Sequence, residues 1–321
     1  LDSTYDRANY QTEFRFQEDT LYLPNLRLLN VGVTGATTSY NKLSGCYGVI
    51  RSIALYDGNT MLDQINEAGR WLSWKNFNHS NTENKNLNSE LNGSSLGFTF
   101  QGQDTTTTNA KVQDFEDSKL IEATEEDTGK SWLSLKSVLP FLEAHGATGL
   151  PTNIYKRLRL VVQYQSDKNA FAEDPSVNYS TLEPILVADE MVDSPQKSKM
   201  MSSYSGVNYV GIEHDRVIVN ALTPTAGDPN PTQSKNFLVN GFSNKKVNRM
   251  LLVNQPTVAS TWQQSATENN PYANMGSVSV IDQSVQVRVN GQNLYPGNGI
   301  NRPNQRLGRL TDTWGTVNSV S

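Results

Sequence analysis

Three stretches of the chain spell short motifs that carry chemistry elsewhere. Gly93-Ser94-Ser95-Leu96-Gly97 has the letters G-x-S-x-G, a turn that exposes a nucleophilic serine between a buried strand and a helix. Here a polar, Asn-rich run precedes Ser95 and the strand-like Phe98-Thr99-Phe100 follows, so the elements that would aim the hydroxyl are missing. Asp127-Thr128-Gly129 has the letters of an aspartic-protease half-site. Glu125 and Glu126 stand where that site needs apolar neighbours, and no second copy exists to share a proton, so an acidic loop is expected. Gly129-Lys130-Ser131 ends like a phosphate-binding loop, but Thr124 occupies the position of the earlier glycine, and the nest of backbone amides is lost.

Ligand-type residues are equally dispersed. His79, His145 and His214 have no cysteine or second histidine at metal-ligand spacing. His214-Asp215 has the residues of a base and its orienter, though a surface turn between strands explains the pair as well. Arg302, Arg306 and Arg309 can meet phosphate, but in an acidic chain a solvated or subunit-contacting face is the simpler reading. Asn78-His79-Ser80, Asn92-Gly93-Ser94 and Asn178-Tyr179-Ser180 are glycosylation sequons of the kind an Asn/Ser-rich chain produces by chance, and they are read as loops. Trp71, Trp74 and Trp132 can line a sugar site, yet their helical settings favour core or interface packing. The residues thus point to no catalytic, cofactor or metal site and to no enzyme.

Composition narrows the class further. The chain has 321 residues, 36% hydrophobic and only 18% charged, with a net charge of -5, and its mean hydropathy is -0.54 at a pI near 5.3. The acidic balance argues against a chain built mainly to hold nucleic acid, so no specific nucleic-acid site is expected. Abundant Asn, Ser, Thr and Gln favour sheets joined by long polar loops over helical bundles. No apolar run approaches the roughly 20 residues that span a bilayer. The single cysteine, Cys46, excludes an internal disulfide framework, fits a reducing compartment and is read as a small buried residue.

The elements that would position any site are mostly strands. The stretch from Val49 to Leu72 leads: Ile53 and Leu55 alternate with Ser52 and Ala54 as a strand, and Asp57-Gly58 makes a turn. Leu62, Ile65, Gly69 and Leu72 then fall at helical spacing, which predicts strand, turn and short amphipathic helix. Residues 1–19 read as a polar arm. Pro24 splits Leu21 to Leu28 into an edge strand or two short strands. Phe98 and Phe100 mark a strand. Trp132, Leu135, Val138, Leu139 and Leu142 make a helical stripe ending near Gly146, its regularity limited by Pro140. Leu158, Leu160 and Val162 form a strand, and Leu182 to Ala188 another. Met191 to Met201 reads as a linker. Strand patterns resume over Tyr209 to Asn220, at Phe237 and Val239, over Val247 to Val253, and from Val278 to Val289 before the turn Asn290-Gly291. Many short strands with long polar loops predict an all-β chain of sandwiches or jelly rolls in two related halves, divided near residue 200.

Several phrases occur together in one order: Tyr22-Leu23-Pro24-Asn25-Leu26-Arg27-Leu28, Ile53-Ala54-Leu55-Tyr56-Asp57-Gly58 with Leu62-Asp63-Gln64, and the run Leu133 to Leu142. They continue with Leu158-Arg159-Leu160-Val161-Val162 and the run Pro184 to Glu190, then Gly241-Phe242, the run Val247 to Val253 and the run Val287 to Leu294. The set resembles the major capsid proteins of virophages, Polinton-like viruses and their adintovirus-related relatives. That resemblance implies a tandem double jelly roll with short helices in its loops, three copies forming a pseudo-hexagonal capsomer, and an icosahedral shell around double-stranded DNA. The expected organisation is an arm over 1–19, a first jelly roll over 20–192, a linker over 193–204 and a second jelly roll over 205–321. About 130 residues follow Asp57-Gly58 to the end of the first half, but about 30 follow Asn290-Gly291 to Ser321. The second roll is therefore expected to be incomplete at its C-terminus.

The implied partners are two further copies, neighbouring capsomers and minor capsid or penton proteins, with contact to an internal membrane left open. The implied location is the virion, assembled inside the host cell. The loops Asn76 to Asn92, Gln101 to Lys130 and Pro224 to Ser234 would then serve as tower or inter-capsomer contacts. The alternative is a virion spike or carbohydrate- or receptor-binding jelly roll that uses loop aromatics such as Trp262 or Tyr272.

Overall fold

The computed structural model describes residues 3–6, 10–29, 48–69, 71–72, 132–166, 184–192, 195–214, 236, 238, 246–252, 284–295, 297, 299–300 and 302–314. Twelve short strands are present among them: β1 (Ser3–Asp6), β2 (Gln11–Arg15), β3 (Leu21–Tyr22), β4 (Arg27–Leu29), β5 (Ile50–Asp57), β6 (Thr60–Asn66), β7 (Trp132–Ser134), β8 (Leu150–Pro151), β9 (Leu158–Tyr164), β10 (Ile185–Val187), β11 (Arg288–Val289) and β12 (Gln292–Asn293). The helices are α1 (Pro140–Ala144), α2 (Pro195–Ser202) and α3 (Pro303–Trp314), with a 3-10 turn at Leu135–Ser137. Every pairing is antiparallel. Among the described residues the protein is mostly strand with few helices, the all-β class that its composition led us to expect.

The main sheet has five strands in the order β1-β2-β9-β5-β6, and a three-stranded sheet has the order β10-β4-β7. Strand β9 shows why the sheet forms here. Leu158, Leu160, Val162 and Tyr164 are buried at alternate positions, and the residues between them are half-buried, which is the period of a strand with one face in the core. Strand β5 pairs β9 on one side and β6 on the other. Its central position buries Ser52 and Ala54 as well as Ile53 and Leu55. Phe14, Ile53, Leu55, Leu160 and Val162 of the larger sheet share one hydrophobic cluster with Leu28, Leu133 and Leu186 of the smaller. Burying each such side chain contributes about 1.5–3 kcal/mol, so this shared cluster is the main force joining the two sheets.

Three expectations need correction. The helix expected after Asp57-Gly58 is strand β6 for most of its length, and helical residues begin only at Ala68. Gly58 adopts φ +57, donates its N–H to the Arg157 carbonyl at 3.0 Å, and turns the chain straight back into a hairpin. The described part of the expected arm is sheet. Strand β2 lies between β1 and β9, and Phe14 is completely buried, because Phe14 and Phe16 supply apolar area that the polar neighbours concealed. The stripe from Trp132 to Leu142 is not one helix but strand β7, the 3-10 turn and helix α1, which starts at Pro140. Proline has no N–H to donate and fits the first helical position, so it begins this helix rather than perturbing one.

Pro24 does divide its segment into the two short strands β3 and β4. In the second half the turn Asn290-Gly291 joins β11 to β12, with both residues at positive φ, +50 and +80. Val285 and Ile300 form an isolated antiparallel bridge beyond it. Residues 209–214 and 246–252 are described without regular secondary structure, where strands were expected. The strands expected at Phe98 and Phe100, Val217 and Val219, Phe237 and Val239, and Val278 and Val280 lie outside the described residues.

The expected linker over 193–204 is helix α2 over Pro195–Ser202, with no buried residue, followed by a turn at Ser203 and irregular backbone at Tyr204. Val207 and Ile212 pack against the core of the first half, so residues 203–214 form a strap on that unit.

Candidate functional site

Among the described residues, a polar cluster lies where α1, the loop after β8 and the strap meet. His145 follows directly on α1 and is completely buried. Its Nδ1 lies 2.7 Å from the Phe141 carbonyl oxygen, one helical turn back. A carbonyl only accepts, so Nδ1 carries the proton and, in the neutral ring, Nε2 must accept. Nε2 lies 2.8 Å from the Tyr204 hydroxyl, which therefore donates to it. The Tyr155 hydroxyl is 2.7 Å from that of Tyr204, whose hydrogen is already committed. The direction of the chain follows: Tyr155 donates to Tyr204, Tyr204 to His145, and His145 to Phe141. Burial pushes the His145 pKa down, against a smaller upward pull from the Phe141 carbonyl, so the neutral ring is the favoured form.

Aromatic packing encloses this chain. The His145 and Tyr204 rings are stacked, 13° from parallel with centroids 5.7 Å apart. Phe141 meets Tyr155 and Tyr209 edge to face at 5.6 and 5.3 Å. The Tyr209 hydroxyl donates to the Leu62 carbonyl on β6. Burial raises the Tyr155 and Tyr209 pKa values, so both remain protonated donors.

Asp63 on β6 completes the cluster from the other side. Its Oδ2 accepts the Phe141 N–H at 2.8 Å, and its Oδ1 accepts the Gln64 N–H at 2.9 Å. Leu139, at the N-cap of α1, offers no side-chain cap. A carboxylate far away in sequence thus satisfies a backbone donor at the helix start. Burial raises the Asp63 pKa, and the two backbone N–H groups offset only part of that rise.

Such an arrangement fixes segments in place. His145 presents no free nitrogen to solvent, since each ring nitrogen is engaged and the residue is buried. The network ties four separate stretches together (β6, α1, the loop after β8 and the strap), which is a positioning role. Among the described residues no group of three or more His, Cys, Asp or Glu side chains could hold a metal ion. No helix of the described residues is long and apolar enough to cross a membrane.

Of the residues singled out in the sequence, His145 alone enters this cluster. His214 lies exposed at the end of the strap. Trp71 packs half-buried against the core, as the packing reading expected. Arg302 and Arg309 are exposed, Arg309 on α3 with its guanidinium 5.6 Å from the centre of the Tyr295 ring and 3.9 Å from Asp312. Cys46, Asn78, His79, Asn92, Ser95, Thr124, Asp127, Lys130, Asn178, Asp215, Trp74, Trp262 and Tyr272 lie outside the described residues, as do the loops over 76–92, 101–130 and 224–234. Sequence reasoning missed Asp63, Tyr155, Tyr204 and Tyr209.

No protein-family model matches the chain, and no curated protein matches it either.

Proposed function

We propose that this protein is a structural subunit of an icosahedral virus shell, three copies of which form a pseudo-hexagonal capsomer. The observation that carries the reading is the ordered series of phrases from Tyr22 to Leu294, which resembles that of double jelly-roll capsid proteins. The antiparallel sheets of the first half are compatible with a jelly roll. On this reading the second half forms a second roll, and the work of the chain is assembly through symmetric, self-complementary surfaces rather than turnover in a pocket. Its partners are two further copies, adjacent capsomers and minor or penton proteins, and its place is the virion.

Electron micrographs of the purified protein test this. The expected result is a uniform particle with threefold symmetry and a hexagonal outline. Single, asymmetric particles that bind immobilised glycans would overturn it in favour of a receptor- or carbohydrate-binding module.

A further inference from the structure

Two tyrosine hydroxyls help to fasten the strap over 203–214 to the first half. One is the Tyr209 hydroxyl on the Leu62 carbonyl, and the other is the Tyr204 hydroxyl on His145. The second depends on a group that titrates near neutral pH. We propose that His145 is a proton-operated latch, and that uptake of one proton on Nε2 releases the Tyr204 end of the strap from the first half of the molecule.

The geometry gives the reason. Neutral His145 is satisfied at both nitrogens, and Tyr204 can donate to Nε2 because that nitrogen holds a lone pair. A proton on Nε2 consumes the lone pair. The chain must then reverse, with His145 donating to Tyr204, Tyr204 to Tyr155, and the Tyr155 hydrogen left to find solvent. Reversal keeps the distances but leaves a cation in a completely buried ring. The groups that face the imidazole are neutral: the Phe141 carbonyl, the Tyr204 hydroxyl, and the rings of Phe141, Tyr155 and Tyr204. The nearby carboxylates act elsewhere. Asp63 accepts from the Phe141 and Gln64 backbone, Glu213 acts on Asp63, and Asp57 acts on Tyr155. Among the described residues no carboxylate hydrogen-bonds His145. Tyr204 stacks on the ring from a segment without regular structure, so lifting it is the least disruptive way to hydrate the cation.

A histidine held below its usual 6.5 binds its proton more readily once uncovered. The fastened form is therefore favoured above that pH and loses ground as pH falls from it toward the lower value of the covered ring. Across that window the released population rises by up to about tenfold per pH unit.

Hydroxyl-radical labelling of the intact protein between about pH 7.5 and 5.5, read by mass spectrometry, tests the latch in the range where histidine titrates. Labelling of Tyr204 should climb several-fold as pH falls, while buried Tyr22 and Leu160 stay constant. His145→Gln keeps a donor and an acceptor at its tip but takes up no proton, so its Tyr204 labelling should be flat. A flat wild-type profile overturns the proposal, and so does an unchanged slope in His145→Gln. If that variant does not fold, Asp63→Asn and His214→Gln serve as controls. A slope that survives in both supports His145, and a slope lost in either overturns the latch.

Discussion

At the scale of the residue, Asp63 joins stability to pH. It is a buried carboxylate whose two oxygens serve two backbone N–H groups. Asp63→Ala would strand the buried Phe141 N–H and is expected to cost about 1–3 kcal/mol in urea unfolding. Asp63→Asn retains an oxygen for one of the two donors and should cost less. The pH dependence separates the two roles. A carboxyl whose folded pKa is raised above 3.8 contributes stability that is present below that pH and is lost as pH rises through the folded value. Asp63→Asn should therefore flatten the stability curve just above pH 3.8. Glu13 runs the other way. Burial raises its pKa, but hydrogen bonds from Arg15 and Arg159 outweigh that and hold it below 4.5. Its contribution is present above 4.5 and fades as pH falls through the lowered value. Glu13→Gln should remove that acid-side loss, seen as a smaller drop in unfolding midpoint. None of this was legible in the sequence. Tyr204 lies 59 residues from His145, and Asp63 lies 78 residues from Phe141, so only the folded topology brings these groups together.

At the scale of the element, strands with an uninterrupted apolar alternation were readable, and those with a functional polar residue were not. Leu158 to Tyr164 was legible because every inward position is apolar. Strand β6 was misread because its inward positions are Asp63 and Ile65. The carboxylate that caps α1 breaks the apolar alternation, and Leu62, Ile65, Gly69 and Leu72 then mimic a helical stripe. Asp57-Gly58 was the better guide, since a tight turn with Gly58 at φ +57 returns a strand onto its neighbour. Pro140 shows the same ambiguity, because a proline starts helices as readily as it ends them. The strand assignments yield a comparison. Leu160→Ala removes a completely buried side chain between β2 and β5 and is expected to cost about 2–5 kcal/mol. Val289→Ala, on the exposed β11, should stay within about 0.5 kcal/mol. Urea midpoints of the two variants check both, and equal losses would contradict the assignment of the core.

At the scale of the whole molecule, the first half has a core that two sheets share, and Val207 and Ile212 of the strap beginning after α2 pack on it. The sequence placed the division near residue 200 because charged and small residues cluster there. The aromatic anchors Tyr204 and Tyr209 lie just beyond and carry the first unit past it. Shell assembly makes the most exposed claim of all, since it asserts a fixed number of copies. The most direct test is the native mass of the purified protein by static light scattering. A capsomer subunit requires a single species at three times the 35.6 kDa chain mass, stable to dilution. A monodisperse monomer at the same concentrations would contradict the preformed capsomer.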